Sequence, residues 1–134
     1  MKIAILAPES RTSAVTRLCA DFCGVLCRHE VSASLAASEY IARGAGITPE
    51  PLFEYSSGAI EQVSSRVEYG SCGLVIALRD PASREFDAAL TELVRRCDSA
   101  DVPVATGLAT ARILLRSLAG NAGSASEYAG RIIR

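Results

Sequence analysis

Leu74-Val75-Ile76-Ala77-Leu78-Arg79-Asp80-Pro81 is the stretch that decides the fold class of this chain. Its five leading apolar residues are too continuous for a strand with one wet face and too few for a helix. Such a run fits a strand buried on both faces of a parallel sheet. It ends on a charged pair and a proline, which cannot extend a ladder. A second run of this kind, Ile3-Ala4-Ile5-Leu6-Ala7, stops at Pro8. Working outward, the periods become helical. Val15, Leu18, Cys19, Phe22, Val25 and Leu26 predict a helix over residues 10–28 with Ser10 as its cap. Ser38 to Arg43 reads as a short helix stopped by Gly44-Ala45-Gly46. Ile60, Val63 and Val67 mark a helix ending at Gly70. Phe86, Ala89, Leu90, Leu93, Val94 and Cys97 mark another, and Ala111, Leu114, Leu115 and Leu118 a last one. Weaker strand signals fall at Glu30 to Ser34, Leu52 to Glu54 and Val102 to Ala105. The Gly/Ala/Ser-rich tail after Gly120 is expected to form a loop before a final short strand or helix.

Strands alternating with helices predict a three-layer α/β domain: a mainly parallel sheet of roughly five strands with helices on both faces. The chain of 134 residues is expected to form one domain, 49% hydrophobic and 22% charged as a packed globule is. A net charge of -1 gives no basic field for nucleic acid, and 5% aromatics with no Trp leave no base-stacking platform. The first apolar run is too short to span a membrane and lacks the form of a signal peptide, so a cytoplasmic location is expected. Five cysteines form no disulfide framework and fit reduced thiols. Lys2 is the only lysine, which argues against Schiff-base chemistry, while the arginines suit phosphate or carboxylate.

Ligands of parallel sheets sit at the carboxyl ends of the strands. The segments at those ends are residues 7–13, 34–39, 55–61, 79–84 and 106–110. Ser10, Arg11, Thr12 and Ser13 lie at a helix start, where backbone N–H groups favour an anion or an ordinary cap. Ser34 and Ser38 follow the second strand, and Ser56-Ser57-Gly58 precedes another helix. Arg79 and Asp80 follow the central strand, and Thr106-Gly107 follows the last. Cys19, Cys23 and Cys27 lie near one helix face with His29 alone beside them. Zinc is not expected there; the thiols read as buried and structural, and His29 as a surface or helix-end residue.

Several of these pieces together resemble the methylglyoxal synthase family: Ile3 to Ala7, Ile41-Ala42-Arg43-Gly44-Ala45-Gly46, Gln62-Val63 and Leu74 to Pro81. The most specific is Val102-Pro103-Val104-Ala105-Thr106-Gly107-Leu108-Ala109-Thr110-Ala111, close to the family's I-P-V-A-T-N-x-A-T-A. The resemblance covers almost the whole chain. It implies the family's fold, a hexamer, no cofactor, and elimination of phosphate from dihydroxyacetone phosphate through a carboxylate base and a phosphate cradle.

Carried over position by position, the resemblance keeps the scaffold and loses chemistry. The family's catalytic Asp falls on Ile60, with Glu61 one position along. Its phosphate-binding T-G-T-T falls on Ser34-Leu35-Ala36-Ala37. Its first His falls on Pro8, a nearby Lys on Thr12, and its second His at or near Phe86. Glu9 and Asp80 keep acidic positions, and Ser57 and Gly58 lie in the loop that supplies backbone donors to the phosphate. Two functions follow. One is a module that binds a small phosphorylated or carboxylated metabolite without the family reaction, through Ser10, Arg11, Ser34, Ser57, Gly58, Arg79 and Thr106. The other is a divergent carbon–oxygen lyase or isomerase using Glu61, Glu9 or Asp80 as base. A scaffold that only assembles is a third. A two-component receiver is excluded by the missing lysine, and Tyr55 is the one candidate to stack a flavin.

Overall fold

The computed structural model describes residues 1–120; the expected loop and final element after Gly120 lie outside the described residues. Five strands form one sheet in the order β3-β2-β1-β4-β5, every pair parallel. They are β1 Lys2–Leu6, β2 Glu30–Ala33, β3 Glu50–Pro51, β4 Leu74–Ala77 and β5 Val104–Ala105. The helices are α1 Thr12–Asp21, α2 Cys23–Leu26, α3 Leu35–Gly44, α4 Ile60–Glu68, α5 Ala88–Ser99 and α6 Leu108–Gly120. The sheet runs outward from β1 to β3, then restarts beside β1 with β4, in register Ile3 to Leu74 and Ile5 to Ile76.

The continuous apolar runs have the predicted consequence. Alternate residues of one strand feed two separate cores. Ile3, Ile5, Leu74, Ile76 and Leu78 pack with α1, α3 and α6. Ala4, Leu6, Val75 and Ala77 pack with α4 and α5 through Val63, Leu90 and Leu93. Ile3, Ile5, Leu74 and Ile76 are buried, whereas Val104 is half-buried because β5 is an edge strand.

Four local expectations are corrected. The helix over 10–28 is three pieces: a tight turn at Glu9–Arg11, α1, and the one-turn α2 after a break at Phe22 (φ -118, ψ 23). Phe22 leaves the helical path while packing on the first core, and Cys23 and Cys27 turn outward, so only Cys19 of the three is buried. The third strand pairs at Glu50–Pro51 rather than at Leu52 to Glu54; on an edge, the missing proline donor costs nothing. Phe86 is not on the helix. Asp87 caps α5 by accepting from the Leu90 N–H at 3.1 Å, so the helix begins after Phe86, which stays 78% exposed. The third helix begins at Leu35, ahead of Ser38.

Candidate functional site

The reversal of strand order between β1 and β4 leaves a crevice at their carboxyl ends, where the loops on either side diverge. Two recesses occupy it. One, of about 410 Å³, lies under the start of α3 and is lined by Pro8, Glu9, Ser34, Glu39, Glu54 and Tyr55 among others. The other, of about 240 Å³, is lined by Pro8, Tyr55, Arg79, Asp80, Ser83 and Asp87, with Glu85 and Leu90. Pro8 and Tyr55 line both and stand between them. A larger recess of about 870 Å³ lies at the opposite, amino edge of the sheet. Its charges already satisfy one another: Arg66 to Glu50 at 2.8 Å and Lys2 to Glu30 at 3.9 Å. It also lies away from the edge where parallel sheets bind.

The chain builds the carboxyl-edge crevice from four strand ends. After β4, the Arg79 N–H donates to the Thr106 carbonyl at 3.1 Å, which ties the central loop to β5. Arg79 itself is exposed. Asp80 accepts from the Ser10 hydroxyl at 3.1 Å through Oδ2 and from the Ala82 N–H at 2.9 Å through Oδ1. It thus holds the loop after β1 against the loop after β4. Ser34 is 1% exposed, and its hydroxyl accepts from the Ala7 N–H at 3.3 Å while lying 3.4 Å from the Ala7 carbonyl. Its polar atom is engaged in joining β1 to β2, although the residue borders the larger recess.

Tyr55 opens an irregular turn, Tyr55–Ala59, in which Ser57 and Ala59 donate to the Glu54 carbonyl at 3.0 and 3.2 Å. Gly58 sits at φ +110 within 3.2 Å of the Phe53 ring for any added Cβ, so the turn requires glycine there. Burial pushes the Tyr55 phenol above its ordinary value; the Asp87 carboxylate pushes the same way and Arg79 opposes them. The ring is half-buried against the second core.

The structure therefore brings Ser10, Arg79 and Asp80 together, with Glu9 nearby on the same edge. Ser10, Arg11, Ser57, Gly58 and Thr106 lie on adjoining loops but line neither recess; Ser10 reaches the site only through its bond to Asp80. Arg11 is half-buried, with its Nε shielded from solvent and without a partner among the described residues. Glu61 is exposed on the first turn of α4, lining neither recess, and Ile60 before it is buried in the second core. Sequence reasoning named Tyr55 only as an aromatic that could stack a flavin, not as a wall shared by two recesses. It also missed the acidic character of the lining. Glu9, Glu39 and Glu54 surround one recess, Asp80, Glu85 and Asp87 the other, and Arg79 is the single basic side chain that lines either among the described residues.

The molecule is an all-parallel three-layer α/β domain with an open crevice at its switch point, the place where such sheets take ligands. The relatives define it further. The chain is 34% identical over 121 residues to methylglyoxal synthase of Burkholderia lata, an overlap of 90% of this chain and 93% of that protein. It is 33% identical over 121 residues to the methylglyoxal synthase of Burkholderia vietnamiensis, with the same coverage. The chain belongs to the methylglyoxal synthase family. The crystal structure of methylglyoxal synthase from Elizabethkingia anophelis has the same fold, with a TM-score of 0.76 over 85% of this chain and 76% of that one at 22% identity. No family model matches the chain.

Proposed function

We propose that this member of the methylglyoxal synthase family binds a small metabolite carrying one anionic group at Arg79, and that it does not carry out triose-phosphate elimination. The carrying observation is Ile60. It starts α4 at 4% exposure, packed with Ala59 and Val63, at the position on which the family resemblance puts the proton-abstracting carboxylate. A hydrocarbon side chain cannot take a proton, and Glu61 is turned to solvent outside the crevice. In its recess Arg79 faces three carboxylates, Asp80, Glu85 and Asp87, which supports a singly charged group, such as a carboxylate, over a phosphate dianion, because each added negative charge meets like charges.

The reading needs no cofactor, nucleic acid or membrane; no helix among the described residues is long and apolar enough to cross a membrane. It places the protein in the cytoplasm as a homo-oligomer, a hexamer by family resemblance. The exposed Tyr69, Phe86 and Ile113 supply apolar surface for assembly. The test is methylglyoxal formation from dihydroxyacetone phosphate, measured beside a Burkholderia relative. Loss of the base alone is expected to slow turnover by about 10²–10⁴-fold. Turnover within about tenfold of the relative would overturn the reading and put an acid of the crevice edge in the role of base.

A further inference from the structure

We infer that Tyr55 is the specificity-determining residue of this crevice: its ring, with Pro8, is a partition that confines a bound anion to the Arg79 side and sets the length of molecule the site accepts. The inference rests on the reading of Arg79 as the anion-binding group. It starts from a geometric fact: the two recesses share Pro8 and Tyr55 among their lining residues and nothing else. One is a proline, fixed by its ring, two residues past the end of β1. The other is a half-buried aromatic whose ring is seated on the second core. Both are stiff, so the division is built in and does not depend on a long mobile side chain.

The turn that presents Tyr55 is braced. Two N–H groups converge on the Glu54 carbonyl just before it, and Gly58 holds a left-handed conformation against Phe53. Tyr55 and Arg79 line the same recess, so the ring forms part of the wall around the cation that would hold the anion. A recess of about 240 Å³ accommodates on the order of eight water-sized groups, at about 30 Å³ each. That admits a short acid, and a longer one directed toward the second recess meets the ring. Beyond the ring the second recess is acidic, with Glu9, Glu39 and Glu54 at its walls, so an uncharged tail crossing the partition meets no repulsion while a second anionic group does.

The test is calorimetric binding of a homologous series, propanoate, butanoate, hexanoate and octanoate, to the full chain. The wild type is expected to bind octanoate, with about ten non-hydrogen atoms, about tenfold more weakly than hexanoate, with about eight, since the added methylenes meet the ring. In Tyr55→Ala the recesses join, and octanoate should bind as well as hexanoate or better. Tyr55→Leu keeps apolar packing on the core while shortening the reach, and should show the same shift if the alanine variant folds poorly. Tyr55→Phe should keep the wild-type cut-off, because the ring and not the hydroxyl forms the partition. If both shortened variants fold and keep the wild-type length profile while Arg79→Ala abolishes binding, the partition is refuted and the Arg79 reading stands. If no acid of the series binds the wild type, or Arg79→Ala binds unchanged, the Arg79 reading fails and the partition with it.

Discussion

Cys19 and Cys97 illustrate how far burial alone sets a side chain's chemistry. Both sit in the cores, and desolvation pushes their thiols up to about 12, while Cys72 is also raised by burial. A thiol that holds its proton is a poor nucleophile. Cys23 and Cys27, turned outward by the break at Phe22, have free access to solvent. Native protein treated with a thiol reagent at neutral pH should therefore gain two labels quickly, at Cys23 and Cys27, and the other three only on unfolding; mass spectrometry of the labelled peptides reads this directly. The Glu50–Arg66 pair, at 2.8 Å, gives a second prediction. The Arg66 hydrogen bond holds Glu50 below its ordinary value of 4.5. Because the folded pKa is depressed, the pair's contribution is present above about 4.5 and is lost as pH falls through the folded value. Both side chains are partly exposed, so the effect is modest. Denaturant titrations from neutral to acid pH should show a shallower loss of stability in Arg66→Ala than in the wild type across that window.

Between α1 and α3 the packing is closer than helix propensity would suggest. A Cβ added at Gly44, the last residue of α3, would lie 2.5 Å from Thr16 Cγ2. Thr16 cannot swing aside freely, because its hydroxyl donates to the Thr12 carbonyl at 2.7 Å. Replacing a helical glycine by alanine ordinarily stabilises by about 0.5–1 kcal/mol. Here overpacking should dominate, and Gly44→Ala should destabilise by about 1–3 kcal/mol in chemical denaturation. Adding Thr16→Ala should recover the loss; a double variant no more stable than the single one would show that the contact is not its cause. The same elements show what the chain's pattern reveals. The strands β1 and β4 were legible because apolar continuity is unambiguous when both faces are buried. The break at Phe22 was not, because the helical period runs straight through it and only tertiary packing selects the kink. Asp87 was readable as a cap in principle, but the apolar Phe86 just before it masked the boundary.

The site was half legible for a topological reason. That ligands gather after the strand ends follows from an alternating α/β pattern, and it placed Ser10, Arg79 and Asp80 together as they are found. Which loop residues turn inward depends on backbone geometry that spacing does not encode, so Tyr55 stands in the crevice where Ser57 and Gly58 were expected. The remaining question is whether Arg79 serves a ligand or a subunit contact, and one variant separates these. Arg79 is exposed, and its backbone N–H, not its side chain, makes the tie to Thr106, so removing the guanidinium should leave the fold intact. A ligand present at about 100 times its Kd stabilises the native state by about 2.7 kcal/mol. Thermal melts of the wild type with butanoate at that excess should rise accordingly, and those of Arg79→Ala should not move. Light scattering on the same samples should give one and the same oligomer for both proteins. Dissociation of the variant, with the ligand response of the wild type absent, would assign Arg79 to an interface and leave the crevice without the cation that a bound acid requires.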